Sequence, residues 1–438
     1  MDNITVNKKS KFFESKFARR ITFTLFFSEL VRSLGFNLYN ISLPLVAEQL
    51  SQSFILTGIA VGVFGITQTI SQVPFGRLSD RYGRRNLMLI SAIIYAFGSL
   101  MVCFSHTILE FIIYRSIQGV SALMSVIQAS LGDIFPKEKR GTIMGWFSLI
   151  YGIGMIVGLP LGIILAGFFG LTMPFYIGAV LAAISAIILF LFLKETLPEK
   201  VISLNNENEN TNFAKIQEEL LHKELYIHNI KNVENLTENQ HKPYRFVNVL
   251  PSSFIIFLIN SIMGGFFAFA PLLLESFGYT IIQMVIVFIP GIIIFFGGSI
   301  FSGMVSDKIG RKWPVLIGLF IGIPSAIFLA FTSNVFLLII LILCLMLGIS
   351  FINPPLSALV LDLVPEEKRG NASGTFNALS VLGSAIGASI MGFIVNFYGY
   401  NGIFGFASYI LGTCLLLAFL FIKNVKPLKS KDNRTTDR

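Results

Sequence analysis

Charge is scarce in this sequence: only 13% of its 438 residues are Asp, Glu, Lys or Arg, while 54% are hydrophobic. A soluble domain carries about a quarter charged residues, so the composition and a mean hydropathy of +0.75 exclude a soluble fold and require an integral membrane protein. Cysteine is almost absent, and Cys103, Cys344 and Cys414 each fall inside an apolar run, which supports neither a disulfide framework nor a zinc site. Two tryptophans stand against 44 phenylalanines, a bias that suits helix packing and identifies no ligand. No Walker-type Gly-rich loop is present, so an ATP-driven pump would need a separate subunit. Nor is there a Ser/His/Asp or His-Glu-x-x-His constellation, so the reading is not an enzyme, and no cofactor or metal is expected. A basic stretch precedes the first apolar run without a small-residue cleavage site, so no removable signal peptide is read there.

What the chain has is long apolar runs. They fall near 21–47, 54–75, 86–105, 108–131, 141–168 and 172–193, and again near 246–274, 280–302, 313–332, 335–361, 371–397 and 401–422. At the length of a membrane-crossing helix, these are twelve spans, numbered here in that order. The expected fold is therefore all-α, with twelve transmembrane helices in two pseudo-symmetric six-helix halves, 21–194 and 246–422. An N-terminal tail at 1–20, a polar linker at 195–245 and a basic tail at 423–438 complete the chain. Of the 33 Lys and Arg residues, 31 lie in the tails, the linker or loops that follow even-numbered spans. The positive-inside rule then places both termini in the cytoplasm, and accounts for the net charge of +9 without a nucleic-acid partner.

The loop after span 2 reads GRLSDRYGRR from Gly76 to Arg85, and GMVSDKIGRK stands after span 8 from Gly303 to Lys312. Gly76, Ser79, Asp80, Gly83 and Arg84 recur as Gly303, Ser306, Asp307, Gly310 and Arg311. Gly76 and Gly83 lack a Cβ and permit close approach of two helices, and Asp80 can accept hydrogen bonds from a helix N-terminus. A second internal match, offset by 229 residues, pairs Asp133 to Gly141 with Asp362 to Gly370, and Gly119, Gly145, Gly154 and Gly158 with Gly348, Gly374, Gly383 and Gly387. The doubled loop resembles the signature of the major facilitator superfamily.

Span 1 buries two opposite charges, Glu29 and Arg32, on one face and near the midplane, with Ser33, Phe36 and Asn40 beside them. Each buried charge costs roughly 2.5–3.5 kcal/mol on insertion scales, which makes the pair either a functional site or a static link between helices. Span 4 carries Arg115, Gln118 and Gly119. The repeat replaces these charges, because Arg115 aligns with Cys344, and Glu29 and Arg32 align with Ile256 and Ile259. Gly154, Gly158 and Gly162 make a close-packing ridge on span 5, echoed by Gly383 and Gly387 on span 11. Asn353-Pro354-Pro355 is expected to interrupt span 10. In the linker, Phe213, Ile216, Leu220, Ile227 and Ile230 fit a short amphipathic helix or a plain tether, and His222, His228 and His241 lack metal spacing.

Spans 1, 2, 4 and 5 are most similar to the twelve-span drug:proton antiporter group, although Leu159 intervenes where that group's span-5 pattern places Pro directly after Gly. The resemblance implies a secondary transporter working by alternating access in the cell membrane, as a monomer, on a small-molecule substrate and protons. It implies a coupling role for Arg115, and a gate in which Asp80 meets the start of span 11 and Arg84 pairs with Asp133; the buried charges themselves make Glu29 the expected proton carrier, with Arg32 or Arg115 setting its proton affinity. Asp307, Arg311 and Asp362 would be the second copy of that gate. Asn37, Asn40 and Gln118 are the expected substrate contacts, being amides on apolar walls. A proton symporter or uniporter for a small organic anion, and a non-transporting membrane sensor, are the alternatives.

Overall fold

The computed structural model describes residues 16–135, 137–196, 249–332, 334–364, 369–422 and 424, and among these all regular structure is helical. Most of the linker lies outside the described residues. Ten helical stretches are long and apolar enough to cross a membrane. Spans 1 and 4, where the buried charges sit, complete the twelve.

Three spans are broken rather than continuous. Span 1 divides into helices Lys16–Leu38 and Ser42–Ser51 instead of running unbroken over 21–47. Pro44 gives the reason: it has no N–H to donate to the carbonyl of Asn40, and its ring opposes a continuous helix there. Span 10 divides into Val335–Ser350 and Asn353–Asp362, with Pro354 and Pro355 in the first turn of the second piece, where missing N–H groups are tolerated. Span 4 divides into Ile108–Val120 and Leu123–Ile134 at the position related to the span-10 break by the internal repeat. No proline stands there, and Ala122 takes a left-handed φ of 43°.

The doubled loop closes each of its helices with a glycine in the same unusual conformation, Gly83 at φ 93° after Tyr82 and Gly310 at φ 98° after Ile309. A side chain is strained in that region, which accounts for the repeated Gly. Gly76 plays no comparable part, since a Cβ there meets nothing within 4 Å.

Small residues set how the helices pack. A Cβ at Gly154 would run into Ser33, one at Gly158 would lie 2.9 Å from the Leu34 carbonyl, and one at Gly162 would collide with the Leu38 carbonyl. Span 5 thus rides directly on the backbone of span 1. Gly383 and Gly387 lie in the same way on the carbonyls of Phe257 and Ser261, so span 11 rides on span 7.

The two halves meet at the face away from the doubled loops. There Gly58 of span 2 approaches the Ala388 carbonyl of span 11, and Phe54 packs against Phe269 and Tyr400 with ring centroids 6.4 and 5.6 Å apart. Nearer the loop, Val73 of span 2 is 58% exposed.

Candidate functional site: a buried charge network beside an apolar cavity

Glu29 is fully buried, and both of its oxygens accept from one neighbour: Arg32 Nη2 donates to Oε1 at 2.5 Å and Nε to Oε2 at 2.9 Å. The spacing of three residues on one helix permits this fork. The guanidinium lies over the Tyr95 ring of span 3, 5.4 Å from its centroid. Ser33, one turn beyond Glu29, donates to the main-chain carbonyl of Tyr151 at 2.9 Å, so span 5 is tied to the charged stretch of span 1.

Arg115 occupies a different environment. It donates to Gln118 Oε1 at 2.5 Å and lies between the rings of Phe64 and Tyr39, 4.8 and 5.8 Å from their centroids. Its Nε is buried without a hydrogen-bond partner, and no carboxylate pairs with it among the described residues. Tyr95 stands between the two arginines and faces Tyr39 as well, so one aromatic and polar network links spans 1, 3 and 4.

The three expected substrate amides are bound up in this N-terminal half. Gln118 donates to the Tyr39 hydroxyl at 2.8 Å and to Ser99 Oγ at 2.7 Å. Asn37 donates to the Ser33 carbonyl at 2.8 Å and accepts from Asn40 at 2.9 Å, across the break in span 1. None of them lines the cavity described next.

That cavity, about 280 Å³, lies mainly in the C-terminal half, between spans 7, 8, 10 and 11 and closed on one side by Tyr151 and Met155 of span 5. Its wall is built on Phe266, Phe267, Phe288, Phe295 and Phe296. The polar groups on it are Tyr151, Asn260, Asn353 and Ser384, which were not singled out from sequence as ligand contacts. Only Asn353 carried a visible signal, the two prolines behind it. Tyr151 joins the two regions, since it lines the cavity and lies within electrostatic range of both Glu29 and Arg32.

On the loop face, Arg84 donates through Nε to Asp133 at 2.7 Å and pairs with Asp80 at 2.5 Å. Arg311 repeats both bonds, to Asp362 at 2.9 Å and Asp307 at 2.5 Å. Burial by itself lowers the Arg311 pKa, but hydrogen bonds and charge from Asp362 and Asp307 outweigh it and the net shift is upward. The contact expected between Asp80 and the start of span 11 falls on 365–368, outside the described residues.

Two six-helix halves related by an internal repeat, with broken helices, buried charges in one half and a cavity lined from both, are the architecture of a membrane transporter. The sequence matches the family description of the Major Facilitator Superfamily over residues 25–321 and 296–437, and the chain belongs to that superfamily. It is 26% identical over 395 residues to the class H tetracycline resistance protein of Pasteurella multocida, covering 89% of this chain and 93% of that protein. It is 27% identical over 391 residues to an uncharacterized MFS-type transporter of Methanocaldococcus jannaschii, covering 88% and 94%. Among solved structures, a bacterial homolog of the human lysosomal transporter Spinster, inward-facing and occupied, superimposes with a TM-score of 0.72 at 13% identity, over 93% of this chain and 96% of that one.

Proposed function

We propose that this chain is a proton-coupled exporter of the cell membrane that exchanges a small molecule for protons by alternating access, as a monomer with both termini in the cytoplasm. The carrying observation is the forked bond between Glu29 and Arg32, fully buried at the depth where a coupling group has to sit. The fork on Arg32 uses both Glu29 oxygens as acceptors, and a proton on Glu29 weakens it by removing the charge the guanidinium pairs with. In the proposed cycle the forked pair is Glu29 without its proton. In the outward-facing state a proton entering from outside binds a Glu29 oxygen and frees Arg32, and the return inward delivers it to the cytoplasm. Similarity to a tetracycline resistance protein supports the export direction.

The test is transport in proteoliposomes with Glu29→Gln. The amide keeps one acceptor for Arg32 and cannot carry a proton. Accumulation driven by a pH gradient is expected to be lost while exchange of labelled for unlabelled substrate continues, which also shows that the variant is folded. Full gradient-driven accumulation by this variant overturns the assignment of Glu29.

A second reading has one observation in its favour. The buried Arg115, with an unpartnered Nε and no described carboxylate, supports a uniporter or symporter for a small organic anion. The sign of substrate-evoked proton movement separates it from antiport.

A further inference from the structure

We propose that Tyr95 is the positioning residue of the buried charge pair: its ring holds the Arg32 guanidinium on Glu29 and so sets the pH at which Glu29 takes up and releases its proton. This rests on the reading of Glu29 as the proton carrier and names what tunes it.

Helix geometry brings Arg32 within reach of Glu29 but does not keep it there. A long guanidinium side chain has many rotamers, and the fork across three residues uses one of them. The guanidinium lies over the Tyr95 ring, 5.4 Å from its centroid, with Arg32 5% and Tyr95 3% exposed. Attraction between a cation and a ring face is stronger away from water, so this contact opposes rotation of Arg32 off the carboxylate.

Tyr95 is itself held in place. Ser99, one turn on, donates to the Tyr95 carbonyl at 2.8 Å and accepts from Gln118 at 2.7 Å. A Cβ at Gly98 would lie 2.7 Å from the Gln118 main-chain nitrogen, so spans 3 and 4 are in backbone contact at this level. The ring also packs with Phe64 of span 2 and Ala182 of span 6. Spans 2, 4 and 6 thus fix a support for a side chain of span 1.

The internal repeat loses the ring together with the charges. In the register that aligns Arg84 with Arg311, Tyr95 falls on Gly322, just as Glu29 and Arg32 fall on Ile256 and Ile259. Helix packing alone does not need an aromatic ring there, since the second half folds in the same way around a glycine.

Few other ionisable groups face the pair from the helices packed on span 1. Span 5 offers Tyr151, within electrostatic range of both charges. Span 6 carries only Tyr176, which donates to the Cys103 carbonyl at 3.4 Å, and the second piece of span 4 carries only Asp133, which is paired with Arg84. Arg115 is engaged by Gln118 and the Tyr39 ring.

The experiment follows the carboxylic-acid C=O stretch of Glu29 by infrared difference spectroscopy against pH, in the purified full chain in detergent, with Glu29→Gln identifying the band. Tyr95→Leu removes the ring and keeps the site apolar, so Glu29 loses part of its hold on the guanidinium without gaining water. The midpoint is expected to rise by about one pH unit, and a band that titrates only in this variant counts as a rise. Tyr95→Phe keeps the ring and should stay within about 0.3 unit of wild type. In an Arg32→Gln background Tyr95→Leu should shift nothing, because no cation is left to hold. If Tyr95→Leu does not unfold cooperatively, Tyr95→Met fills the space with a flexible chain and carries the same expectation. Equal midpoints in wild type and the ringless variant, an equal shift in Tyr95→Phe, or a full shift without Arg32 each overturns the proposal, and absence of a titrating Glu29 band in both proteins overturns it too. The measurement needs neither substrate nor gradient, so a Glu29 that titrates with the expected dependence on Tyr95 but does not drive transport overturns the coupling reading alone. An unshifted midpoint overturns only the role of Tyr95.

Discussion

Arg84 Nε donates to Asp133 Oδ2 at 2.7 Å, which ties the loop after span 2 to the base of span 4. The same guanidinium reaches Asp80, but the two carboxylates differ in setting: the Asp80 side chain is 60% exposed and that of Asp133 27%. Water screens the first pair more strongly, so it contributes about 0.2–1 kcal/mol. Asp133→Asn is therefore expected to lower thermal stability more than Asp80→Asn. Asp80→Asn should slow flux more than it lowers membrane yield. Paired measurements of unfolding and proteoliposome flux on both variants check this, and normal flux in Asp80→Asn removes Asp80 from the gate.

The packing of span 5 on span 1 gives a sharper contrast. Gly162→Ala drives a methyl group into the Leu38 carbonyl and is expected to cost about 1–3 kcal/mol, whereas Gly145→Ala meets open space and should stay within about 0.5 kcal/mol of wild type. Equal thermal stability of the two variants would contradict this packing.

Gln118 is held by Arg115, Tyr39 and Ser99, so its removal leaves buried partners unsatisfied. Gln118→Ala is expected to cost about 1–3 kcal/mol of stability with little change in KM. A raised KM at unchanged stability would place Gln118 against the substrate instead.

Alkaline pH should loosen the face where the halves meet. Burial first, then the charges of Glu48 and Glu275, raise the Tyr400 hydroxyl from the ordinary value of 10.0 to about 12. A raised folded-state pKa means its contribution to stability is complete below the ordinary value and is lost as pH rises toward about 12. Ionised Tyr400 would also be repelled by both carboxylates while packed against Phe54. Thermal unfolding measured across that window should fall more steeply in wild type than in Tyr400→Phe, and parallel curves would count against it.

Much of this protein follows from order along the chain. Twelve apolar runs, the asymmetry of Lys and Arg between loops, and the doubled GRLSDRYGRR and GMVSDKIGRK stretches determine span number and the parallel relation of the halves, because these depend on local transfer energies and on motifs read one residue after another. The proximity of Glu29 to Arg32 was legible for the same reason, since three residues on a helix share a face. The pairing of Arg84 with Asp133 was suggested only by family resemblance, and the break at Ala122 had no local signal at all. The cavity was not legible, because it is enclosed by side chains from five different spans whose mutual rotation and depth are set by close contacts such as Gly162 on Leu38 and Gly383 on Phe257. Which amides spend their hydrogen bonds on neighbouring helices, as Gln118 does, and which remain unpartnered beside a cavity, as Asn353 does, depends on those packing distances, and only the tertiary structure decided it.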